Sequence, residues 1–175
     1  MKRFTAAVVA VSLLVVAAGY AVAAAARTPD LADAWNGAEI NWRDTKTGIY
    51  ESAQTGKPVI MVFHATWCGF CKKYRAVFKD PGVVEAARDF VMILVDVDQE
   101  KTTNGAFSPD GTYVPRTIVL DSQGEVQSQY HGESDPEHPH SIDPASPDEL
   151  RGIMNRARQD FNSGKAPSAP AGGKT

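Results

Sequence analysis

Cysteine is scarce in this sequence, since its 175 residues contain only Cys68 and Cys71. Two cysteines cannot form a network of disulfides, and a zinc site built on them would need two further soft ligands. The part of the chain after the first 26 residues has about 149 residues, enough for one ordinary domain with its own core. The two cysteines are therefore available for chemistry.

Basic residues are also in short supply. Lys and Arg number 18 against 21 Asp and Glu, a formal charge of −3. When Lys2 and Arg3 are set aside, 16 basic residues remain against 21 acidic ones, and the charge is −5. No basic stripe is left to bind nucleic acid or an anionic membrane surface, so neither is predicted as a partner.

The long apolar run of the sequence lies in its amino-terminal segment, 1–26. Lys2 and Arg3 precede an alanine-rich apolar stretch over 6–26, an order typical of a secretory signal peptide. The stretch of about 21 residues would also span a bilayer as an anchor if it were not cleaved. Both alternatives place the rest of the chain outside the cytosol. We therefore expect an exported protein, periplasmic or secreted, that contacts the membrane only if this segment is retained.

One domain is expected over residues 30–162. The segment 163–175 is rich in Gly, Ala, Pro and Ser and predicts a disordered tail. Near the start of the domain, 42–54 predicts an amphipathic helix. Its apolar face would consist of Trp42, Ile49, Tyr50 and Ala53.

Two unbroken apolar runs, 59–63 and 90–97, predict strands that are buried on both faces. Between them, 69–79 predicts a helix, and Asp80-Pro81 supplies an N-cap and a first-turn proline for another helix through residue 89. A strand, helices and a second strand in this order predict a parallel pair joined by a right-handed crossover.

The second half of the domain continues with a polar loop over 98–113. The runs 116–120 and 125–130, separated by a turn sequence, predict a β-hairpin. Residues 131–144 are polar and proline-rich and predict a surface loop, and Ser146-Pro147-Asp148-Glu149 predicts a capping box that opens a last helix. The predicted fold class is α/β, a central mixed sheet flanked by helices.

The cysteine pair follows a buried strand and begins a helix. The first turn of a helix has unpaired N–H groups and partial positive charge, which favour the reactive thiolate. Cys68, nearer the helix start, is the predicted nucleophile, and Cys71, one turn further in, would resolve the mixed disulfide. Nearby, Trp67 offers an apolar rim, Gly69 lets a partner's backbone approach, and Lys72 adds positive charge.

Two other interpretations of the pair remain open. A stapling disulfide is compatible with an exported chain, although a loop closed three residues apart removes little entropy from the unfolded state. A zinc half-site is the other, and it lacks partner cysteines.

The motif Trp67-Cys68-Gly69-Phe70-Cys71-Lys72 resembles the active site of thioredoxins and protein disulfide isomerases, and Val114-Pro115 before a strand is similar to their cis-proline loop. The resemblance implies a thioredoxin-like fold in which Pro115 faces the cysteines and the backbone at Val114 pairs with a substrate chain. Trp67, Gly69 and Phe70 would be further substrate contacts.

A closer resemblance is to the small endoplasmic-reticulum thioredoxin-domain proteins and the anterior gradient proteins. It covers about residues 40–132 and rests on His64, four positions before Cys68, and on the stretch 107–116, Phe-Ser-Pro-Asp-Gly-Thr-Tyr-Val-Pro-Arg. The sequence departs from thioredoxins at Val62, where they have a buried acid, and at Phe70, where they have proline. The alanine-rich leader and the lack of a retrieval tail favour a bacterial envelope homologue.

His64 and Arg116 are candidate modulators of the site. A charged His64 would affect a neighbouring thiolate, and Arg116 would pair with a substrate carboxylate or with Asp110. No metal site is predicted from the histidines of 131–144, since acids and prolines in a polar loop are typical of a solvated surface.

The predicted function is thiol-disulfide exchange in exported proteins, with reductase or isomerase slightly favoured over oxidase. No bound cofactor is expected. The partners would be protein thiols and disulfides and an unidentified redox partner, and the protein would be a monomer. The alternative is a non-catalytic peptide-binding or chaperone module that uses the cis-proline groove.

Overall fold

A computed structural model describes Pro29 and residues 31–165 of the chain. The predicted leader, 1–26, and most of the predicted tail lie outside the described residues. Besides two 3₁₀ turns, Ala32–Trp35 and Val77–Lys79, the described part has these strands and α-helices in chain order: β1 (Trp42–Arg43), α1 (Thr45–Thr55), β2 (Val59–His64), α2 (Gly69–Tyr74), α3 (Pro81–Ala87), β3 (Val91–Asp96), α4 (Lys101–Ala106), β4 (Arg116–Leu120) and α5 (Pro147–Asn162).

The four strands form one mixed sheet in the order β1-β3-β2-β4. β3 is parallel to both β1 and β2, whereas β4 is antiparallel to β2. Every residue of β2 is buried, as expected for a central strand whose two faces are both covered. The α/β class and the mixed sheet are as predicted.

Local capping explains where several helices begin. The Asp80 carboxylate accepts hydrogen bonds from the N–H groups of Gly82 and Val83 at 2.9 and 3.0 Å, with Pro81 in the first turn of α3. Ser146 Oγ accepts one from Asp148 N at 3.3 Å and begins α5. Both helix starts agree with the prediction.

The predicted helix 42–54 is wrong at its start and at two residues of its predicted apolar face, Tyr50 and Ala53, whereas Ile49 packs against the core as predicted. Trp42 belongs to β1 and lies opposite Met92, and α1 begins only after Asp44, whose carboxylate accepts from Thr47 N at 2.9 Å. Tyr50 is 67% exposed, and Ala53 is exposed as well. Small residues cover the sheet instead: Gly48 and Ser52 are buried, and a Cβ added at Gly48 would lie 2.4 Å from Ile93 Cγ1. The close approach of the helix to the sheet therefore excludes larger side chains at Gly48.

Three other predicted boundaries differ from the structure. The helix predicted over 69–79 is α2 followed by a separate 3₁₀ turn at Val77–Lys79. The polar loop 98–113 contains α4, in which no residue is buried, so its sequence lacks an apolar period. The second hairpin strand, 125–130, makes only an isolated bridge at Leu120 and Val126.

An aromatic cluster supports the amino-terminal half of the sheet. Trp35 contacts Trp42, Tyr74 and Phe78, with ring centroids 5.5 to 6.4 Å apart. All four rings are buried, and Tyr74 is the last residue of α2. The helix that carries the cysteine pair is thereby fixed to a rigid core.

None of the helices in the described part of the chain is long and apolar enough to cross a membrane.

Candidate active site

Cys68 and Cys71 form a disulfide at the junction of β2 and α2, with Cα atoms 5.2 Å apart. Cys68 is the N-cap of α2, and the N–H group of Cys71 points at Cys68 Sγ at an N···S distance of 3.0 Å. A thiolate at Cys68 would accept this hydrogen bond, which stabilises its charged form. Cys68 keeps 5% of its surface exposed, whereas Cys71 is fully buried. An external sulfur can therefore reach Cys68 and not Cys71.

Two exposed aromatic rings flank the pair. Trp67 and Phe70 are 67% and 64% exposed. Trp67 Nε1 donates to Asp98 Oδ2 at 2.9 Å, which fixes its ring, and Lys73 Nζ lies 5.4 Å from the centre of the Phe70 ring. Lys72 is exposed on the same helix, and the space that a side chain at Gly69 would occupy is empty. The surface around Cys68 is thus apolar and accessible, with positive charge on the α2 side.

The predicted cis-proline loop lies directly beside the reactive sulfur. The peptide bond between Val114 and Pro115 is cis. The carbonyl oxygen of Val114 is 3.6 Å from Cys68 Sγ. A chain bound along Val114 would therefore have its own backbone next to Cys68.

Arg116 does not make the ion pair that the sequence suggests. Its side chain is fully buried, lies over the Phe63 ring at 4.0 Å, and has no carboxylate within ion-pair distance in residues 31–165. It donates instead to the carbonyl oxygens of Tyr113 (2.9 Å), Phe107 (3.1 Å) and Asn104 (3.3 Å) and to Asn104 Oδ1 (2.8 Å). Burial lowers its pKa to about 10, so the guanidinium stays charged at neutral pH. Arg116 fixes the end of α4 to the cis-proline loop.

His64 is buried at the end of β2, where its ring lies 5.3 Å from that of Trp35. Burial lowers the pKa of His64 more than the charge of Asp96 raises it. The neutral ring is therefore favoured at neutral pH, which argues against a charged His64 beside the thiolate. Two positions earlier, Val62 lies opposite Leu94 in the register, an apolar pair where thioredoxins have an acid.

The loop 131–144 has no helix or strand and is exposed over much of its first half, as predicted, but part of it is buried and packs against the active site. His140 and Ile142 are buried, and the loop forms one wall of a cleft of about 440 Å³. The opposite wall comes from the active site, namely Phe70, Tyr113, Val114 and Pro115. The cleft therefore lies beside the cysteine pair, between Phe70, the cis-proline loop and the loop 131–144.

Glu149 holds this loop in place. Its carboxylate accepts hydrogen bonds from the N–H groups of Glu133 (2.7 Å), Ser134 (2.9 Å) and Asp143 (2.7 Å) and from Ser134 Oγ (2.9 Å). The predicted capping box is thus only half formed, because Glu149 binds the loop rather than the backbone of Ser146. Burial alone would raise the pKa of Glu149, but these donors together lower it.

A second attachment ties the loop to the cis-proline loop. The backbone N–H of His140 donates to the Tyr113 hydroxyl at 3.0 Å, and its carbonyl accepts from Thr117 N at 2.8 Å. His140 Nδ1 is 3.0 Å from Asp110 Oδ2, to which the Tyr113 hydroxyl also donates. Sequence patterns gave no indication of the roles of Tyr113, His140 and Glu149, since these contacts join segments that are distant along the chain.

We expect Glu149→Ala to lower the free energy of unfolding by about 2–4 kcal/mol at pH 7, because three N–H groups lose a charged acceptor. The folded-state pKa lies below its ordinary value of 4.5, so this stabilisation is present above that value and is lost as the pH falls through the folded-state pKa. Urea unfolding of both proteins between pH 7 and pH 3 would show the difference shrinking. Glu85→Ala, which removes an exposed carboxylate from α3, is the control. If the two variants lowered the free energy of unfolding equally, the proposed role of Glu149 in holding the loop would be wrong.

Comparison with known proteins supports the predicted fold. Residues 41–122 match the family model described as Thioredoxin-like. Anterior gradient protein 3 of Xenopus tropicalis is 28% identical over 107 residues, which cover 61% of this chain and 65% of that protein. Protein disulfide-isomerase erp38 of Neurospora crassa is 33% identical over 84 residues, 47% of this chain and 22% of that protein. The solution structure of a thioredoxin from Thermus thermophilus superposes with a TM-score of 0.54 at 18% identity, covering 71% and 92% of the two chains.

The fold is therefore thioredoxin-like, and the resemblance of the sequence to thioredoxin-domain and anterior gradient proteins is confirmed. The matched segment includes both cysteines and Pro115, and it ends before the loop 131–144. The chain spans 54 to 65% of the length of the anterior gradient proteins it matches.

Proposed function

We propose that the protein is a thiol-disulfide oxidoreductase that exchanges disulfides in client proteins through Cys68, with Cys71 as the resolving thiol. One observation carries the proposal: the two sulfurs are bonded at a helix start, one accessible beside the Val114 carbonyl and the other buried. A stapling disulfide needs no such asymmetry. The disulfide-isomerase name of the Neurospora crassa relative supports the same chemistry.

The exchange proceeds in two balanced steps. The Cys68 thiolate attacks one sulfur of a client disulfide, so that a Cys68–client bond forms and the other client sulfur leaves as a thiolate. The Cys71 thiolate then attacks Cys68 Sγ, which reforms the internal disulfide and releases the second client thiolate. The client gains two electrons and the cysteine pair loses two, and the reverse sequence oxidises a client.

The surrounding residues position the client for the first step. The Cys71 N–H group supports the Cys68 thiolate, and the Val114 backbone provides the edge along which the client's chain lies. Trp67 and Phe70 cover the apolar part of the client next to its sulfur. Because Val62 replaces an acid, the proton of Cys71 would leave through water rather than through a buried carboxylate.

The proposal includes the setting of the reaction. The leader 1–26 would act as a signal peptide or an anchor, the domain would comprise residues 30–162, and the protein would act as a monomer outside the cytosol. An unidentified redox partner would recharge the cysteine pair. Neither a bound cofactor nor nucleic acid takes part in this scheme.

The reduction potential of the cysteine pair tests the proposal. The purified protein would be equilibrated in glutathione buffers, and its free thiols alkylated and counted by mass spectrometry. A reduction potential of about −270 mV is expected for a reductase, and one of about −120 to −180 mV for an oxidase or isomerase. A pair that stays oxidised over the whole glutathione range would be structural and would contradict the proposal.

A second candidate function is a non-catalytic peptide-binding or chaperone module. The cleft of about 440 Å³ beside the cis-proline loop favours it, since such a cleft would hold an extended chain without any sulfur chemistry. Cys68→Ser distinguishes the two functions, because a binding module would retain its clients and an oxidoreductase would lose its turnover.

A further inference from the structure

The wall that the loop 131–144 contributes to the cleft is acidic. The loop 131–144 contains Glu133, Asp135, Glu137 and Asp143, and it has neither Lys nor Arg. Asp135 and Asp143 line the cleft itself. The loop therefore places two carboxylates along the path that a client chain would follow from Cys68.

The two carboxylates differ in how far they are already engaged. Asp135 accepts from the N–H groups of Glu137 and His138, and its second oxygen lies 3.1 Å from His138 Nδ1. Asp143 Oδ1 accepts from Ala145 N at 2.8 Å, whereas Asp143 Oδ2 accepts no hydrogen bond from the described residues. Asp143 thus has an oxygen available to a cation that enters the cleft.

Basic side chains do not neutralise this wall. No Lys or Arg lines the cleft. Lys72 and Lys73 lie on α2, and the Arg116 guanidinium points into backbone carbonyls. Carboxylates therefore lie on the loop side of the cleft and lysines on the α2 side, an arrangement that would orient a charged client.

The apolar part of the cleft suits the same kind of client. Ile142 and Pro144 on the loop, together with Val114 and Pro115 opposite, provide an apolar surface that leads to Asp143. Lys and Arg side chains combine an aliphatic stem with a terminal cation. The stem would lie on the apolar surface, and the cation would reach Asp143.

We propose that the loop 131–144 selects unfolded client segments with Lys or Arg near the reacting cysteine, and that Asp143 binds the cation. The inference rests on the proposed function and adds the substrate class. It assigns Asp143 a role in specificity, whereas the chemistry stays with the cysteine pair.

Two disulfide-bonded peptides would test this proposal. They are identical except that the residues two positions from each cysteine are lysine in one and glutamate in the other. The pre-reduced protein is mixed with each peptide, and each rate constant is divided by that of dithiothreitol with the same peptide. This division removes the intrinsic effect of the charges on the peptide disulfide. We expect the lysine peptide to react roughly 3- to 10-fold faster, and the ratio to approach one in about 0.5 M NaCl.

The variant Asp143→Asn is expected to bring this ratio close to one. Asparagine keeps an Oδ1 acceptor for Ala145 N, so only the charge changes. Glu137→Gln is the matched control, because Glu137 is exposed on the same loop and does not line the cleft; it should keep the ratio. An unchanged ratio in Asp143→Asn, or equal rates for the two peptides with the unaltered protein, would overturn the inference.

Peptides with both cysteines replaced by serine separate this inference from the proposed function. If the protein reduces neither disulfide peptide but binds the lysine serine-peptide more tightly than the glutamate one, the proposed function fails and the selectivity stands. If both disulfide peptides are reduced equally and neither serine-peptide is preferred, the function stands and the selectivity is wrong.

Discussion

Replacing Cys68 with serine is expected to lower the rate of disulfide exchange at least about 1,000-fold, because the attacking sulfur is lost. Cys71 cannot substitute for it. Its side chain is fully buried, and an attack on a client disulfide requires the two sulfurs to meet in line. The loss would be measured from the rate at which the protein reduces a disulfide-bonded protein substrate. The reaction is monitored by the precipitation of that substrate or by the appearance of free thiols.

The matched variant Cys71→Ser should behave differently. It keeps the attacking thiol and lacks the resolving one, so a mixed disulfide between Cys68 and the client should accumulate and be visible on a non-reducing gel. If Cys71→Ser forms no such complex and Cys68→Ser does, the order of the two cysteines proposed above is reversed.

Replacing Arg116 with methionine is expected to lower the free energy of unfolding by about 3–5 kcal/mol. The buried guanidinium is the hydrogen-bond donor for the carbonyls of Asn104, Phe107 and Tyr113, and methionine leaves all three without it. Methionine fills much of the same volume over Phe63, so the loss would come from the polar contacts rather than from a cavity. Because Tyr113 immediately precedes Val114, client turnover should fall as well.

Chemical denaturation at pH 7 would measure this loss. Arg156→Met is the control. Arg156 is exposed on α5, so this substitution removes the same charge from the surface without breaking buried hydrogen bonds. Arg116→Lys should fall between the two, because one ammonium group cannot reach all the carbonyls that a planar guanidinium reaches. Equal stability of Arg116→Met and Arg156→Met would show that the buried hydrogen bonds contribute little.

The sequence predicted those parts of the fold whose signal is local and continuous. The apolar runs that became β2 and β3 have little alternative to a buried strand, and the caps Asp80 and Ser146 act within three residues. The cysteine pair was readable for the same reason, because its spacing and its place after a buried strand define the site together.

The parts that sequence reasoning missed depend on contacts between distant segments. The face of α1 that covers the sheet is set by Gly48 and Ser52. A helix that packs through small residues has no hydrophobic periodicity from which this face could be predicted. The loop 131–144 is polar and partly exposed, and it is attached to Glu149 and Tyr113 through its backbone N–H groups, which its composition does not reveal. The contacts of Arg116 could not be predicted either, because its partners are backbone carbonyls, which have no signature in the sequence.

The attachment of the loop 131–144 has a consequence for how this scaffold could be altered. Its anchors, Glu149 and the backbone of His140, lie outside the strand and helix that carry the cysteine pair. The exposed positions Pro136 and Glu137 between these anchors, and Asp143 in the cleft, can therefore be changed while β2 and α2 keep their sequence. A library at these three positions, built on an unaltered redox centre, would be a direct way to obtain enzymes of the same chemistry with new client preferences.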